Sequence, residues 1–344
     1  MHSKGQPCRL LMVDAERRLG ERVRPLFELG EITACEENAS YQSAAALARR
    51  DRPEIILVDL SGGAEAFGAI EAIMADEPTP ILCAREAGAS SADDFQALGL
   101  GALEIIEWPR ATRPEFWTEL SRQLLLLSHV RVVKHVRGAK RKRHEQEHVR
   151  DAGQEPPFPF VAIASSLGGP KALLQVLRML PRGFAAPICI CQHISPGFTE
   201  GLAQWLMNQT ALEVEEARDD EWLKAGTVYI APSGAHLRVT NEWRIRLDDG
   251  PPLAGFKPSC DALLQSAAHA FGRRCIGVVL TGMGRDGANG LREIRARGGR
   301  TLVQDEATCV VYGMPAAAVE LGAAEEILPL DAIAPALIRL VEQC

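Results

Sequence analysis

No apolar run in this chain reaches the ~18 residues of a membrane-spanning helix. The opening residues, MHSKGQPC, lack the apolar stretch of a secretory signal. Neither export nor membrane insertion is expected, and the chain is read as cytoplasmic. A basic excess is missing too: 45 Asp and Glu outnumber 38 Lys and Arg, for a formal net charge of -7. Neutralising phosphates needs a basic face, so nucleic acid is not an expected partner. Zinc-type cysteine spacing is also absent. The nine cysteines (8, 35, 83, 189, 191, 260, 275, 309 and 344) are odd in number and scattered. Cys189 and Cys191 stand one residue apart in an apolar run, with no second pair to complete a site. They read as reduced, buried thiols. The glycine-rich turn IASSLGGP is not a G-x-G-x-x-G motif, and there is no internal repeat or low-complexity tract.

What is present is an alternating pattern. The 344 residues exceed twice the ~150 of one domain, and 47% are hydrophobic, enough for two cores. In the first third, RLLMVD (9–14), IILVDL (55–60), PILCA (80–84) and LEIIEW (103–108) read as strands buried on both faces. Helical patterns lie between them in ERRLGERVRPLFEL and YQSAAALARR, and RPEFWTELSRQLLLLS (113–128) closes the unit. The rhythm resumes at Phe160. FVAIAS, PICICQ, GTVYIAP, CIGVVLTG and RTLVQDE read as strands, and AHLRVTNEWRIRL reads as an antiparallel hairpin. Pro170 suits the first turn of a helix. Asp261 and Asp331 are expected helix caps, and Gly272 an expected helix end. The predicted fold class is α/β, two doubly wound, mostly parallel-sheet domains at residues 1–127 and 159–344.

Between them, residues 128–158 form a basic, proline-ended linker. It carries Arg131, Lys134, Arg137, Lys140, Arg141, Lys142, Arg143 and Arg150, with His129, His135, His144 and His148. It reads as a solvated tether, with docking onto an acidic partner surface as the alternative.

Ligands collect at the carboxyl ends of strands in open α/β sheets. In the second domain those ends deliver Ser165-Ser166, His193 and Asp286, the parts of a hydrolytic triad. A nucleophile at a tight strand-to-helix turn needs small residues two before and two after it. Ser166 has Ala164 and Gly168 there, whereas Ser165 has Ile163 and Leu167. Ser166 is therefore the expected nucleophile, and Ser165 is expected to bond locally or face the core. His236 and His269 compete with His193, and Asp261 and Asp305 with Asp286. The order Ser, His, Asp along the chain differs from that of α/β-hydrolases.

Six segments in order, IASSLGGP, CQHISPGFTEGLAQWL, VYIAPSGAHL, KPSCDALLQSAA, GVVLTGMGRDGANGL and QDEATCVVYGMPAAA, resemble the catalytic domain of chemotaxis-type protein-glutamate methylesterases, the CheB-type family. The resemblance covers residues 159–344. It implies a serine esterase that removes methyl groups from glutamate γ-methyl esters on the cytoplasmic helices of chemoreceptors and also deamidates specific receptor glutamines. It assigns Ser166 as nucleophile, His193 as base and acid, and Asp286 as orienter, with backbone N–H groups near Met283 and Gly284 as oxyanion donors. No cofactor is expected for catalysis. Leu167 departs from the threonine that often follows the nucleophile in this family.

The first domain resembles a response-regulator receiver, so a chemosensory histidine kinase is an implied partner. Asp59 stands at the phospho-acceptor position. The Mg²⁺ that phosphorylation requires would use Asp14 and Asp59, but Ala15 breaks the usual carboxylate pair, and Glu16 is out of phase. Cys83 replaces the switch hydroxyl and Trp108 the conserved lysine. These losses favour a pseudo-receiver used for docking or constant regulation over a phosphorylated one. The alternative to an enzyme is a catalytically weak regulatory adaptor working through this domain. A monomer is assumed.

Overall fold

The computed structural model describes residues 7–15, 19–86, 92–109, 113–130, 132 and 158–343. The chain divides into two compact units, Met1–Gly138 and Ala139–Cys344. Nearly all of the basic segment, Arg131 and Lys134 to Arg150 included, and Glu16 lie outside the described residues.

The first unit runs β1 (Cys8–Val13), α1 (Leu19–Arg22), α2 (Arg24–Glu28), β2 (Ile32–Ala39), α3 (Ala44–Asp51), β3 (Ile55–Asp59), α4 (Ala64–Asp76), β4 (Ile81–Glu86), α5 (Ala92–Leu100), β5 (Glu104–Trp108) and α6 (Pro114–Ser128). Its five strands are all parallel in the order β2-β1-β3-β4-β5, the flavodoxin-like winding. The apolar runs of β1, β3 and β4 are buried almost without interruption because helices cover both faces. The helical stretch expected over ERRLGERVRPLFEL is two short helices, divided at Val23, with Pro25 in the first turn of α2.

The second unit runs β6 (Phe160–Ser165), α7 (Gly169–Met179), β7 (Ile188–Gln192), α8 (Thr199–Gln209), β8 (Glu213–Glu216), β9 (Thr227–Ile230), β10 (His236–Val239), β11 (Ile245–Asp248), α9 (Cys260–Phe271), β12 (Cys275–Val279), α10 (Ala288–Ala296), β13 (Arg300–Gln304), α11 (Met314–Glu320), β14 (Glu326–Leu328) and α12 (Leu330–Gln343). Seven parallel strands lie in the order β14-β13-β12-β6-β7-β9-β8. β10 and β11 pair antiparallel as a separate ribbon, as the alternation of that segment predicts. From β6 the chain winds outward to β7 and β9, then returns to lay β12 on the other side of β6. That reversal opens a crevice at the carboxyl ends of β6 and β12, where this class of sheet binds ligands.

α9 packs across β6, β7 and β12 on one face of the sheet. Its Phe271 ring stacks on Phe160 of β6, centroids 4.4 Å apart. Burying one such ring contributes roughly 1.5–3 kcal/mol, and Phe160→Ala would cost about 3–5 kcal/mol once the cavity is included. Gly272, at φ 51°, ends α9 as expected. Two expected caps are corrected. Ser259, in extended backbone before the helix, caps α9 by accepting from Ala262 N. Asp261 lies one residue inside that helix. Its carboxylate instead accepts from Gly287 N (3.0 Å) and Gly290 N (2.7 Å), at the start of α10. Asp331 likewise falls inside α12, which begins at Leu330. Among the described residues no helix is long and apolar enough to cross a membrane.

Candidate active site

β6 ends at Ser165, and α7 begins four residues later. Ser165 is fully buried and donates to Gln192 Oε1 at 2.7 Å. The Gln192 amide nitrogen then donates to the carbonyls of both Ser166 and His193, each at 2.7 Å. One amide thus fastens the ends of β6 and β7 together. Gly168 turns the chain with φ 75°, and a Cβ there would stand 2.5 Å from Val310. A Cβ on Gly169 would run into the Gln192 amide oxygen. The two glycines are therefore required, one by its backbone angle and both by close approach. Ser166 is half-buried, and its hydroxyl has no hydrogen-bond partner among the described residues.

Ser166 N donates to Thr281 O at 3.1 Å, which ties the turn to the end of β12. A Cβ on Gly282 would lie 2.7 Å from Ser166 Cβ, so the β12 loop runs directly against the serine. That loop is pinned by Gly282 N to Val311 O (3.0 Å) and Met314 N to Gly282 O (2.9 Å). The next residues, Met283 and Gly284, are exposed, and their N–H groups reach no acceptor among the described residues. Gly284 has φ 91°.

His193 begins the loop after β7, and its N–H donates to Ser165 O at 3.0 Å. Nε2 meets Asp286 Oδ2 at 2.9 Å. Nδ1 is buried without a hydrogen-bond partner. Asp286, 6% exposed, also accepts from Ser259 Oγ (2.9 Å), Cys260 N (2.7 Å) and Asp261 N (2.9 Å). The carboxylate therefore sits on the first turn of α9, where free N–H groups and the helix dipole favour an anion. Burial pushes its pKa up, but the imidazole and the two backbone donors outweigh burial and hold it below the usual carboxylate value. In the neutral ring, Asp286 as acceptor holds the proton at Nε2, and Nδ1 carries the free lone pair. Burial opposes the imidazolium, yet the His193 pKa is raised, by the Cys260 sulfur and by Asp286. Burial keeps the Cys260 thiol neutral, so near pH 7 the remaining push comes from Asp286. Phe256 stacks flat on the imidazole, centroids 4.1 Å apart and planes within 1°.

The competing residues have other duties. His236 is buried, accepts from Ser259 N at 3.1 Å and reaches Pro251 O at 3.1 Å, so it supports Ser259 beneath Asp286. His269 is exposed and bonds Gln265 O and Arg297. Asp305 accepts from Thr308 in its own turn. The sequence reading did not single out Gln192, Phe256, Ser259 or Thr281. Gln192 and Thr281 each sit at a strand end, which is the signal that could have found them.

In the first unit, Asp59 closes β3 and accepts from Ser61 N at 2.9 Å. Burial chiefly raises its pKa, with Asp14 and Glu86 adding to the push. Asp14 is buried, with Oδ2 accepting from Leu19 N at 2.6 Å and Oδ1 unpartnered. Trp108 is buried where a lysine is expected, and the Arg22 guanidinium lies over its ring at 4.5 Å while pairing with Glu86. Cys83 is fully buried. Among the described residues, no group of three ligands that could hold a metal includes Asp14 or Asp59.

A serine, an imidazole and a buried carboxylate at three strand ends around the switch point of a parallel sheet define a serine hydrolase whose topology is not that of the α/β-hydrolases. A family model described as CheB methylesterase matches residues 161–337. The chain is 53% identical over 338 residues to the protein-glutamate methylesterase FrzG of Myxococcus xanthus, covering 98% of this chain and 99% of that protein. It is 47% identical over 344 residues to protein-glutamate methylesterase/protein-glutamine glutaminase 2 of Anaeromyxobacter dehalogenans, covering 97% of each. The crystal structure of the Thermotoga maritima CheB methylesterase catalytic domain superimposes with a TM-score of 0.52 at 40% identity, covering 54% of this chain and all of that one. The protein belongs to the CheB methylesterase family.

Proposed function

We propose that this protein hydrolyses glutamate γ-methyl esters on chemoreceptor cytoplasmic helices, releasing methanol, and deamidates receptor glutamines at the same site. The esterase occupies residues 159–344, with the first 127 residues a receiver-like partner domain. The observation that carries the proposal is the His193–Asp286 contact of 2.9 Å, anchored on α9 and fastened through Gln192 to the turn that bears Ser166.

The chemistry follows from the atoms. Ser166 Oγ attacks the ester carbonyl as its proton passes to His193 Nδ1, the nitrogen with the free lone pair. The imidazolium keeps its Nε2 proton on Asp286, which stabilises the cation without taking the proton. The N–H groups of Met283 and Gly284 receive the oxyanion, each such donor typically contributing ~10²–10³ in rate. Nδ1 then protonates the departing methoxide. Water, activated by the same nitrogen, releases the glutamate carboxylate and free Ser166. A glutamine side chain passes through the same steps with ammonia leaving.

The test is methanol release from a methylated receptor cytoplasmic fragment. Ser166→Ala should abolish turnover. Ser165→Ala, which removes only the bond to Gln192, should keep most of it. Wild-type turnover in Ser166→Ala would defeat the assignment.

A further inference from the structure

Beneath the imidazole lie two thiols that ester hydrolysis does not use. Cys191 is in β7 and Cys260 opens α9, and both are fully buried. Cys191 Sγ, Cys260 Sγ and a ring nitrogen of His193 all lie within 4.8 Å of one another. Cys260 Sγ is 3.5 Å from His193 Nε2. That contact is not an S–H···N hydrogen bond, because Nε2 already holds its own proton toward Asp286. The Cys260 S–H has another acceptor, Cys191 O, at 3.5 Å. Zinc binds sulfur at ~2.3 Å and imidazole nitrogen at ~2.0–2.1 Å, so a tetrahedral site sets S and N about 3.6 Å apart. The Cys260–His193 pair therefore already has the length of one edge of such a site.

We propose that Cys191, Cys260 and His193 form a site for a thiophilic divalent cation of the zinc class, and that its occupation switches off the esterase. Two sulfurs and one imidazole select soft cations over Mg²⁺ or Ca²⁺. Binding releases both thiol protons, as metal coordination requires. Nε2 becomes a ligand, and the imidazole proton moves to Nδ1. Nothing is oxidised or reduced. Nδ1 then has no lone pair with which to take the Ser166 proton, so the base is lost while the serine is untouched. Asp286 keeps Ser259 Oγ, Cys260 N and Asp261 N as donors.

The inhibition rests on the proposed role of His193, but binding does not, and two readouts separate them. Full-length protein, reduced with a non-thiol phosphine, is titrated with Cd²⁺ while thiolate-to-metal ultraviolet absorption is followed, and with Zn²⁺ while methanol release is followed. Cys191→Ala removes one ligand and should leave metal-free turnover near wild type. It should weaken both the absorption and the inhibition at least tenfold to a hundredfold. Cys189→Ala, on the same strand outside the cluster, should leave both unchanged, and a chelator should restore wild-type activity. Cys260→Ser, read by absorption alone, gives a second ligand variant should Cys191→Ala fold poorly. Equal Cd²⁺ absorption in wild type and both ligand variants would overturn the site. Binding lost in the variants but without inhibition in wild type would instead overturn the role of His193.

Discussion

Asp286→Asn changes one oxygen for an NH₂ group and leaves the side-chain shape intact. The native carboxylate accepts four hydrogen bonds, from His193 Nε2 and Cys260 N on one oxygen and from Ser259 Oγ and Asp261 N on the other. An asparagine amide can be oriented two ways, and each aims N–H at a backbone N–H of α9. One buried donor is left unsatisfied, at about 1–3 kcal/mol. If the NH₂ faces His193, Nε2 must become an acceptor and the ring proton moves to Nδ1. If it faces Asp261, the imidazole keeps its tautomer but loses the charge that stabilises its cation. Either outcome disarms the base, and removing the charge of a triad aspartate in this way costs about 10⁴ in kcat. Single-turnover methanol release should therefore fall by roughly 10³–10⁴, with thermal stability lowered. Because the native pKa is depressed, the lost stability is full at neutral pH and closes as pH falls below the ordinary carboxylate range. Imidazole ¹⁵N spectra would report which nitrogen holds the proton. A variant within tenfold of wild-type turnover would refute the role given to Asp286.

Phe256→Leu keeps the loop apolar but removes the flat ring from His193. Stacking on a desolvated cation is worth about 0.5–2 kcal/mol, so kcat should fall roughly twofold to thirtyfold with KM little changed. An unchanged kcat would make the ring mere cover. Lys171, in the first turn of α7, has its pKa lowered to about 8 by burial. Its charge therefore costs stability in full below pH 8, and the cost fades as pH rises toward its ordinary value of 10.5. Lys171→Met should raise the melting temperature at pH 7, and the gain should shrink above pH 8; a gain constant across that range would refute the argument. Acetyl phosphate with Mg²⁺ should leave Asp59 unlabelled by mass spectrometry, and stoichiometric labelling would defeat the pseudo-receiver reading.

The sequence revealed the fold where strands are buried on both faces, because such strands are continuous apolar runs. It hid β8 (EVEE) and β14 (EIL), edge strands too polar or too short to stand out. β2 was also unmarked, since in ITACEENA the polar residues Thr33, Glu36, Glu37 and Asn38 break any continuous apolar run. The site was legible because each of its three side chains follows a strand end, and the sheet gathers those ends at its switch point. Ser166 could be told from Ser165 by the size of the residues two places away. Which imidazole nitrogen is left free could not be read, since that depends on the direction from which Asp286 arrives. Phe256 sits in a loop between elements, and nothing local marks it.

The misplaced caps show why the carboxylate is so well held. Ser259 and Asp261 are both good cap residues, and a linear reading gives the helix to the stronger acceptor. In three dimensions the starts of α9 and α10 face each other, and each helix receives a carboxylate from the other's side. Asp286, from the loop before α10, accepts from Cys260 N and Asp261 N. Asp261, from α9, accepts from Gly287 N and Gly290 N. Had Asp261 capped its own helix, its charge would compete with Asp286 for the same N–H groups. The exchange leaves one anion on each helix start and keeps the α9 donors for the carboxylate that orients His193. Gly287 and Gly290 permit it, since a Cβ on Gly290 would lie 2.5 Å from Leu264 Cβ and one on Gly287 would lie 3.1 Å from Ala164 Cβ. Gly287 and Gly290 of GRDGANG thus serve the His193–Asp286 pair indirectly, by letting two helix starts approach closely enough to trade caps.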